Sequence, residues 1–243
     1  MKKLNVLMVI LPLFTIACSE EYTGEIIETA QIKETVHTAK SAKRSGIGPA
    51  NGANPFDIGG SIHNEILETL DQTNFNLQSI GEIAILIDSV AAVYPAIISL
   101  SNEAPLSSRL SEITSIVNSN SAIDEVLTAS TLSLNAKASL LTFANSLLLV
   151  AVDDPYEDIH SMIVSYEADV LINSTFTNND KRIILTTTSV ARYSIYVEKR
   201  KDKDWETGAS RIAATVSGAE HGVILALKMA LTIELCQNNN ITQ

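Results

Sequence analysis

Asn54-Pro55-Phe56-Asp57-Ile58-Gly59-Gly60-Ser61-Ile62-His63-Asn64-Glu65-Ile66-Leu67 opens the part of the chain that can fold, and Glu68-Thr69-Leu70 completes its pattern. Ile58, Ile62, Ile66 and Leu70 recur every four residues and Leu67 widens the stripe, which is the spacing of one buried face of an α-helix. Proline two places before Asp57 disfavours helix ahead of it. Asp57 is therefore expected to be the N-cap, its carboxylate accepting backbone N–H groups that the first helical turn leaves open.

The same period governs the chain downstream. Leu77 to Leu100 is a more uniformly apolar segment, and Glu82, Asp88 and the kink-forming Pro95 mark it as a core helix and not a membrane span. A turn at Asn102 to Pro105 precedes a short helix at about Ser107 to Asn118, and Ser121 or Asp124 can cap another. Ser133-Leu134-Asn135-Ala136 restarts the chain into Ala138 to Val152, whose all-apolar run Leu147 to Val152 is expected at the centre of a bundle. Asp153-Asp154-Pro155 reads as an acidic N-cap with proline at the first helical position. The helix behind it shows a face of Ile159, Met162, Ile163, Tyr166 and Val170 and ends near Asn173. Asn178-Asn179-Asp180 is expected to cap the next, with a face through Ile184, Thr188, Ala191 and Ile195. After the charged turn Lys199 to Asp204, one long last helix is expected from Thr207 to Leu235, its first half crowded with Gly208, Ala209, Ala213, Ala214, Ser217, Gly218, Ala219 and Gly222, which permit close helix approach. No alternating strand pattern and no repeat period is present. The expected fold is all-α, a globular bundle of about seven to eight helices over residues 54–243 behind a flexible N-terminal tether.

Upstream, Met1 to Glu21 reads MKKLNVLMVILPLFTIACSEE. Lys2 and Lys3 precede an apolar run, Leu4 to Ile16, too short to span a bilayer, and Ala17-Cys18 closes it with a small residue before a cysteine. This is the layout of a bacterial lipoprotein signal peptide over residues 1–17, with Thr15 standing where leucine is usual. Cys18 is then the lipidation site, carrying palmitate-type acyl chains into a membrane, and residues 18–53 form the tether, polar and punctuated by Gly46, Gly48, Pro49 and Gly52. The rival reading is an ordinary secretory signal with Cys18 incidental. If Cys18 is acylated, Cys236 remains a lone thiol in an apolar helix and behaves as a small buried hydrophobe; only without the lipid can the two cysteines pair.

The chain holds 17 Lys and Arg against 28 Asp and Glu, a net −11. Loss of Lys2 and Lys3 with the signal leaves 15 against 28, or −13. Such a surface repels nucleic acid and anionic headgroups, so attachment to the membrane falls to acyl chains and no nucleic-acid partner is expected.

No glycine-rich phosphate loop, CxxC pair, HExxH or nucleophile elbow is present, so neither a cofactor nor a catalytic set is expected and the protein is read as a non-enzyme. Glu157 and His160 share a helix face, but a carboxylate-bridged metal centre needs two such motifs and further glutamates, and no metal is expected. Asp57, His63 and Glu65 are the candidate ligand or structural motif. His63 and Glu65 lie two apart and point to different sides of a helix, so they cannot jointly hold one ion; His63 is expected to hydrogen-bond near the helix start. His221, beside Glu220, is expected to be a satisfied buried histidine.

NPFDIGGSIHNEIL at 54–67 resembles a motif, N-P-[FY]-D-x5-H-N-E, that opens the mature part of an uncharacterised group of small exported or lipid-anchored proteins common in Bacteroidota. Ser189-Val190-Ala191-Arg192-Tyr193-Ser194 and the segment from Trp205 to Gly222 are similar too, although Thr215 stands where the group often has an acid. Glu20-Glu21 resembles the acidic export signal of surface-displayed lipoproteins in the same bacteria. The resemblance implies a lipoprotein of the cell envelope at the outer membrane, facing either the periplasm or, surface-exposed, the medium, with an all-α domain; it implies no activity. The expected function is a non-enzymatic binding or structural module for a protein or small-molecule partner. The alternative is a membrane-active or toxin-antagonising, immunity-like protein that inserts its Ala/Gly-rich last helix once the charges there are neutralised.

Overall fold

The computed structural model describes residues 46–72, 75–98, 105–201, 205 and 208–242; the signal stretch, Cys18 and the tether as far as residue 45 lie outside the described residues. Among the described residues regular structure is helical throughout. The helices are α1 (Ile58–Asp71), α2 (Ile80–Val93), α3 (Pro95–Ile98), a 3-10 turn (Leu106–Arg109), α4 (Leu110–Asn118), α5 (Ala122–Ala129), α6 (Leu134–Asp153), α7 (Tyr156–Ile172), α8 (Asn178–Arg200), α9 (Gly208–Ala219) and α10 (Val223–Asn238). The fold is thus an all-α bundle, with ten α-helices among the described residues where seven to eight were expected. Two breaks make the difference. Tyr94 is held extended by the proline behind it (φ −81°, ψ 114°), which separates α2 from α3. Gly222 is likewise extended (φ 158°, ψ 167°) and divides the expected last helix into α9 and α10.

Three helices form the interior. Residues 224–236 of α10, 211–219 of α9 and 183–195 of α8 are buried without interruption. For α10, ILALKMALTIELC, this follows from composition, since a helix apolar on all sides has to be enclosed. For α8 it does not, because Thr186, Thr187, Thr188, Ser189, Arg192 and Ser194 are all buried. Part of the answer lies in hydroxyls that bond back to their own helix, as Thr187 Oγ1 does in donating to the Ile183 carbonyl at 2.8 Å. Thr215 and Thr232 do the same in α9 and α10. A threonine so satisfied presents mainly its methyl group to its neighbours.

The remaining helices wrap these three with one face each. On α1, Ile62, Ile66, Leu67 and Leu70 are buried as the stripe predicts, whereas Ile58 is 45% exposed. Asp57 and Ser189, Gly60 and Tyr193, and Asp71 and Lys201 meet in that order, so α1 and α8 run side by side in the same direction. Helix ends are fastened by side chains. Ser79 accepts the Glu82 N–H, and Thr177 with Asp180 makes a reciprocal capping box, in place of the cap expected from Asn178 to Asp180. The other oxygen of Asp180 accepts the Ser133 N–H at 2.8 Å, which ties the starts of α6 and α8 together. Pro155, not an acid, is the N-cap residue of α7, because α6 continues through Asp153.

The expected central position of Leu147 to Val152 is corrected. Leu147 and Ala151 are buried, but Leu149 is 77% and Val152 52% exposed, so α6 lies on the outside of the bundle. An unbroken apolar run fixes no face; the helices that pack against it do.

The small residues of the last segment permit a tight α9–α10 hairpin. Arg211 faces Glu234 and Gly218 faces Ala226, so the two helices are antiparallel along their length. A Cβ at Gly218 would stand 2.5 Å from Ala226 Cα and 2.6 Å from its amide nitrogen, and backbone cannot move aside as a side-chain tip can. Gly218→Ala is expected to lower stability by about 1–3 kcal/mol through overpacking. Gly81→Ala, whose nearest neighbour would be Ser79 Oγ at 3.9 Å, should be neutral or stabilising by up to about 1 kcal/mol. Thermal denaturation of both variants checks the pair, and equal melting temperatures would refute the close approach.

Candidate functional site

The three candidate residues of the motif go to three different places. Asp57 is not a capping residue in the expected sense: it is helical (φ −59°, ψ −26°) and its side chain caps nothing. The start of α1 is organised instead by Asn54, whose Oδ1 accepts the Phe56 N–H at 2.8 Å. Asp57 turns inward to a fully buried arginine. Arg192 Nη2 donates to Asp57 Oδ1 and, at 3.2 Å, to Glu167 Oε1. The second oxygen of Asp57 accepts the Tyr193 hydroxyl and the Asn51 N–H, each at 3.2 Å.

Glu167 is as fully buried as Arg192 and is saturated by donors. Asn51 Nδ2 reaches Oε2 at 2.6 Å, while Asn54 Nδ2 and Thr188 Oγ1 reach Oε1 at 2.8 Å each. Asn54 also donates to the Leu185 carbonyl at 2.9 Å. The segment from Asn51 to Asp57 is therefore a strap, locked across α7 and α8 by two asparagines, and Asn51, expected within the tether, is bonded to the folded domain. Gly60 makes the adjoining contact possible: its N–H donates to Ser189 Oγ at 3.1 Å, and a Cβ there would stand 2.5 Å from the Tyr193 ring and 2.6 Å from the Ser189 carbonyl. Burial holds the Tyr193 phenol above its usual range, with the Asp57 carboxylate adding to the effect. His160, half-buried nearby, is held below the usual imidazole range by burial and by the Arg192 charge.

His63 enters a second cluster and does not bond near the start of its helix as expected, because it sits on the inward face of α1. It is fully buried, with Nε2 3.5 Å from Glu234 Oε2. Arg211 supplies the charge there, donating to Glu198 Oε1 at 3.0 Å and to Ser194 Oγ at 2.7 Å, and its Nη1 lies 3.5 Å from Glu234 Oε1. Trp205 Nε1 donates to the same serine at 3.3 Å. Burial, then the Arg211 charge, pushes the His63 pKa down to about 3, and burial pushes that of Glu234 up. Lys228 and Asp88 form a third cluster, an ion pair at 2.6 Å, and Asp88 also accepts the Leu106 N–H at 2.8 Å.

Glu65 stays on the surface. It accepts hydrogen bonds from Tyr94 and Ser61, and the first of these holds the Tyr94 phenol up at about 12. His221, expected to be buried, is exposed in the turn between α9 and α10, while Glu220 accepts both the N–H and the hydroxyl of Thr131. Cys236 is a buried free thiol, as expected, with burial pushing its pKa up to about 12. Among the described residues no three His, Cys, Asp or Glu side chains converge in a way that holds a metal ion.

Sequence reasoning missed Glu167, Arg192, Arg211, Glu198 and Glu234 as site members. One signal was available for four of the five: Glu167, Arg192, Arg211 and Glu234 lie mainly among apolar or small residues on their helices, where a charge implies a partner, whereas Glu198 opens a charged run and gives none.

A concave surface of about 230 Å³ at the outer end of α1 and α8 is lined by Glu68, Asp71, Val197 and Lys201, and two larger ones lie apart from these clusters. One of about 660 Å³ at the α4–α5 corner is lined by serines, asparagines and Glu125; another, of about 590 Å³, runs between α6 and α7, where Phe143 and Tyr166 stack at 4.0 Å.

Two outcomes test the clusters. Asp57→Asn is expected to lose about 1–3 kcal/mol, because the amide leaves Arg192 with one carboxylate fewer. A capping residue would tolerate that exchange, since asparagine caps nearly as well as aspartate. Glu167→Gln should cost about 3–5 kcal/mol, as removal of one partner of a buried pair does; urea titration of both variants reads the difference. For His63, the folded pKa lies below that of the free side chain, so its contribution is complete above pH 6.5 and lost as the pH falls toward 3. Between pH 7 and pH 5 this group alone should remove roughly 2 kcal/mol. Glu234, shifted the other way, acts with opposite sign, so the loss is read as the difference in pH dependence between the parent chain and His63→Gln; identical slopes would place His63 in water.

No known family, curated protein or solved structure matches the chain.

Proposed function

We propose that the protein is a lipid-anchored protein of the bacterial cell envelope, held by acyl chains on Cys18, whose helical domain is a non-enzymatic binding or structural module. The observation that carries the module reading is the use made of its ionisable side chains. Asp57, Glu167 and Arg192, then Arg211, Glu198 and Glu234 with His63 against them, then Lys228 and Asp88, are paired with one another between helices and lie away from the α4–α5 and α6–α7 concave surfaces. Groups so placed hold helices in register. The partner, a protein or a small molecule, would then be met at the outer surface of the bundle.

The anchor reading is supported by the layout of residues 1–18 and by the resemblance of residues 54–67 to exported proteins. It fits the acidity of the chain, net −11, which leaves acyl chains as the means of holding a membrane, and a strap that fastens the anchor side of the domain to Glu167. The membrane-active alternative draws less support. Its single last helix is a hairpin, and insertion would break the ion pairs of Arg211 and Lys228 and separate Gly218 from Ala226.

Cys18→Ala is expected to leave the precursor unprocessed or to release the protein from the membrane fraction, since acyl chains contribute about 0.8 kcal/mol per buried CH₂. Fractionation with an immunoblot decides it. A variant that is cleaved normally and stays with the membrane would end the anchor reading.

A further inference from the structure

The outer face of α6 is out of keeping with a helix that faces water. The helix holds twenty residues, and its most apolar stretch, of mean hydropathy 1.3, is only one-third buried. Its inner side is well packed, with Leu140 and Leu147 fully buried against the bundle, so the helix is fixed in place while Leu149 and Val152 point outward. Ala138, Leu141, Asn145, Leu149 and Val152 fall on one outward stripe, none of them buried. Their steps of three and four average 3.5 residues, the repeat of a helix that packs along another helix. At the centre of the stripe stands Asn145, and a lone asparagine in an apolar helical seam sets register between paired helices.

We propose that this face pairs with the same face of a second copy of the chain, the two α6 helices running antiparallel about a two-fold axis at Asn145. The spacing is what carries the choice of a second copy. Relative to Asn145 the stripe lies at −7, −4, 0, +4 and +7, so reversal of the helix maps it onto itself. Leu141 then meets Leu149 of the other copy, Ala138 meets Val152 as small against large, and Asn145 meets Asn145, the self-complementarity that an isologous interface requires.

Charge points the same way. Two copies of a chain of net −11 repel, and α6 offers a face whose stripe bears no charge. The one cation of the helix, Lys137, donates to the Thr128 carbonyl at 2.8 Å. A lipid surface fits less well, because interfacial helices carry lysines and arginines along the polar flank and aromatic residues on the apolar one. Beside the stripe runs the α6–α7 groove, lined on the α7 side by Met162, Ser165, Tyr166 and Asp169, in which the flank of the second α6 can lie. The result is a four-helix arrangement of two α6–α7 hairpins. At 1.5 Å per residue α6 is about 30 Å long, and with the groove wall each copy offers roughly 600 Å², about 1,200 Å² for the pair. That is the lower bound of specific interfaces and suits a reversible dimer. The proposal does not depend on the anchor.

Cysteine cross-linking of the full chain in a detergent extract of whole cells treated with copper phenanthroline tests it, since the extract holds the chain wherever it resides. Asn145→Cys is expected to give a reducible band of twice the chain mass, at least fivefold stronger than Ser115→Cys on the exposed side of α4. Leu141→Cys and Leu149→Cys on two differently tagged copies should link to each other more than either links to itself. Adding Leu149→Glu should weaken the Asn145→Cys band at least fivefold and leave the melting temperature unchanged, since the side chain is on the surface. An Asn145→Cys band no stronger than that of Ser115→Cys overturns the proposal. So does preferential self-linking of Leu141→Cys, which would make the pair parallel. A band at any other mass would give the face to a different protein, and no band from any variant would leave it to lipid or solvent; each overturns it equally.

Discussion

Arg192 carries its charge where no solvent reaches, and much of the domain is arranged around that fact. A guanidinium cannot shed its proton to escape burial, so it has to be met by carboxylates, and the two that meet it come from different helices. Asp57 brings the first turn of α1; Glu167 brings α7. Glu167, itself fully buried, needs more donors than Arg192 supplies, and Thr188, Asn51 and Asn54 provide them. One cationic side chain on α8 thereby sets the register of three helices and the path of the strap. Replacement of such a group by well-packed apolar residues is often neutral for stability, so the value of the cluster lies in specifying one arrangement of helices that apolar packing alone would leave degenerate.

Further along the same pair of helices the solution is repeated with other residues. His63 on α1 and Glu198 on α8 meet α9 and α10 through Arg211 and Glu234, and Asp71 meets Lys201 at the outer end. The middle cluster differs from the first in holding a buried histidine. Burial drives His63 toward its neutral form and Glu234 toward its own, so their enclosure beside Arg211 makes that region sensitive to acid.

What the residues disclosed in advance was local. The stripe of α1, the short helices α4 and α5 and the face of α7 are read from apolar spacing, because one half-exposed face leaves a clear period. Burial on all sides erases that period. In α8 the threonines and serines look like solvent-facing positions until Thr187 is seen bonded to the preceding turn and Thr188, Ser189 and Ser194 to groups on other elements, and no local signal distinguishes those fates. The converse holds in α6, where an unbroken apolar run suggested the centre of the bundle and turned out to be half outside. Asp57 shows the limit most clearly. Its position before a helical stripe is that of a capping residue, and only a partner 135 residues away in the chain gives the carboxylate another use.

The interior helices α8, α9 and α10 follow every helix that packs around them in the order of the chain, so the shell is made before the core it surrounds. Until α8 and α10 arrive, α1 and α2 have only one another and the neighbouring short helices against which to hide Ile62, Ile66, Ile83 and Ile87. Short isolated helices are marginal in water, so the leading half of the chain has little to gain by closing early. Assembly is thereby deferred until α10 has been made, and the burial that stabilises the domain depends on residues 178–238.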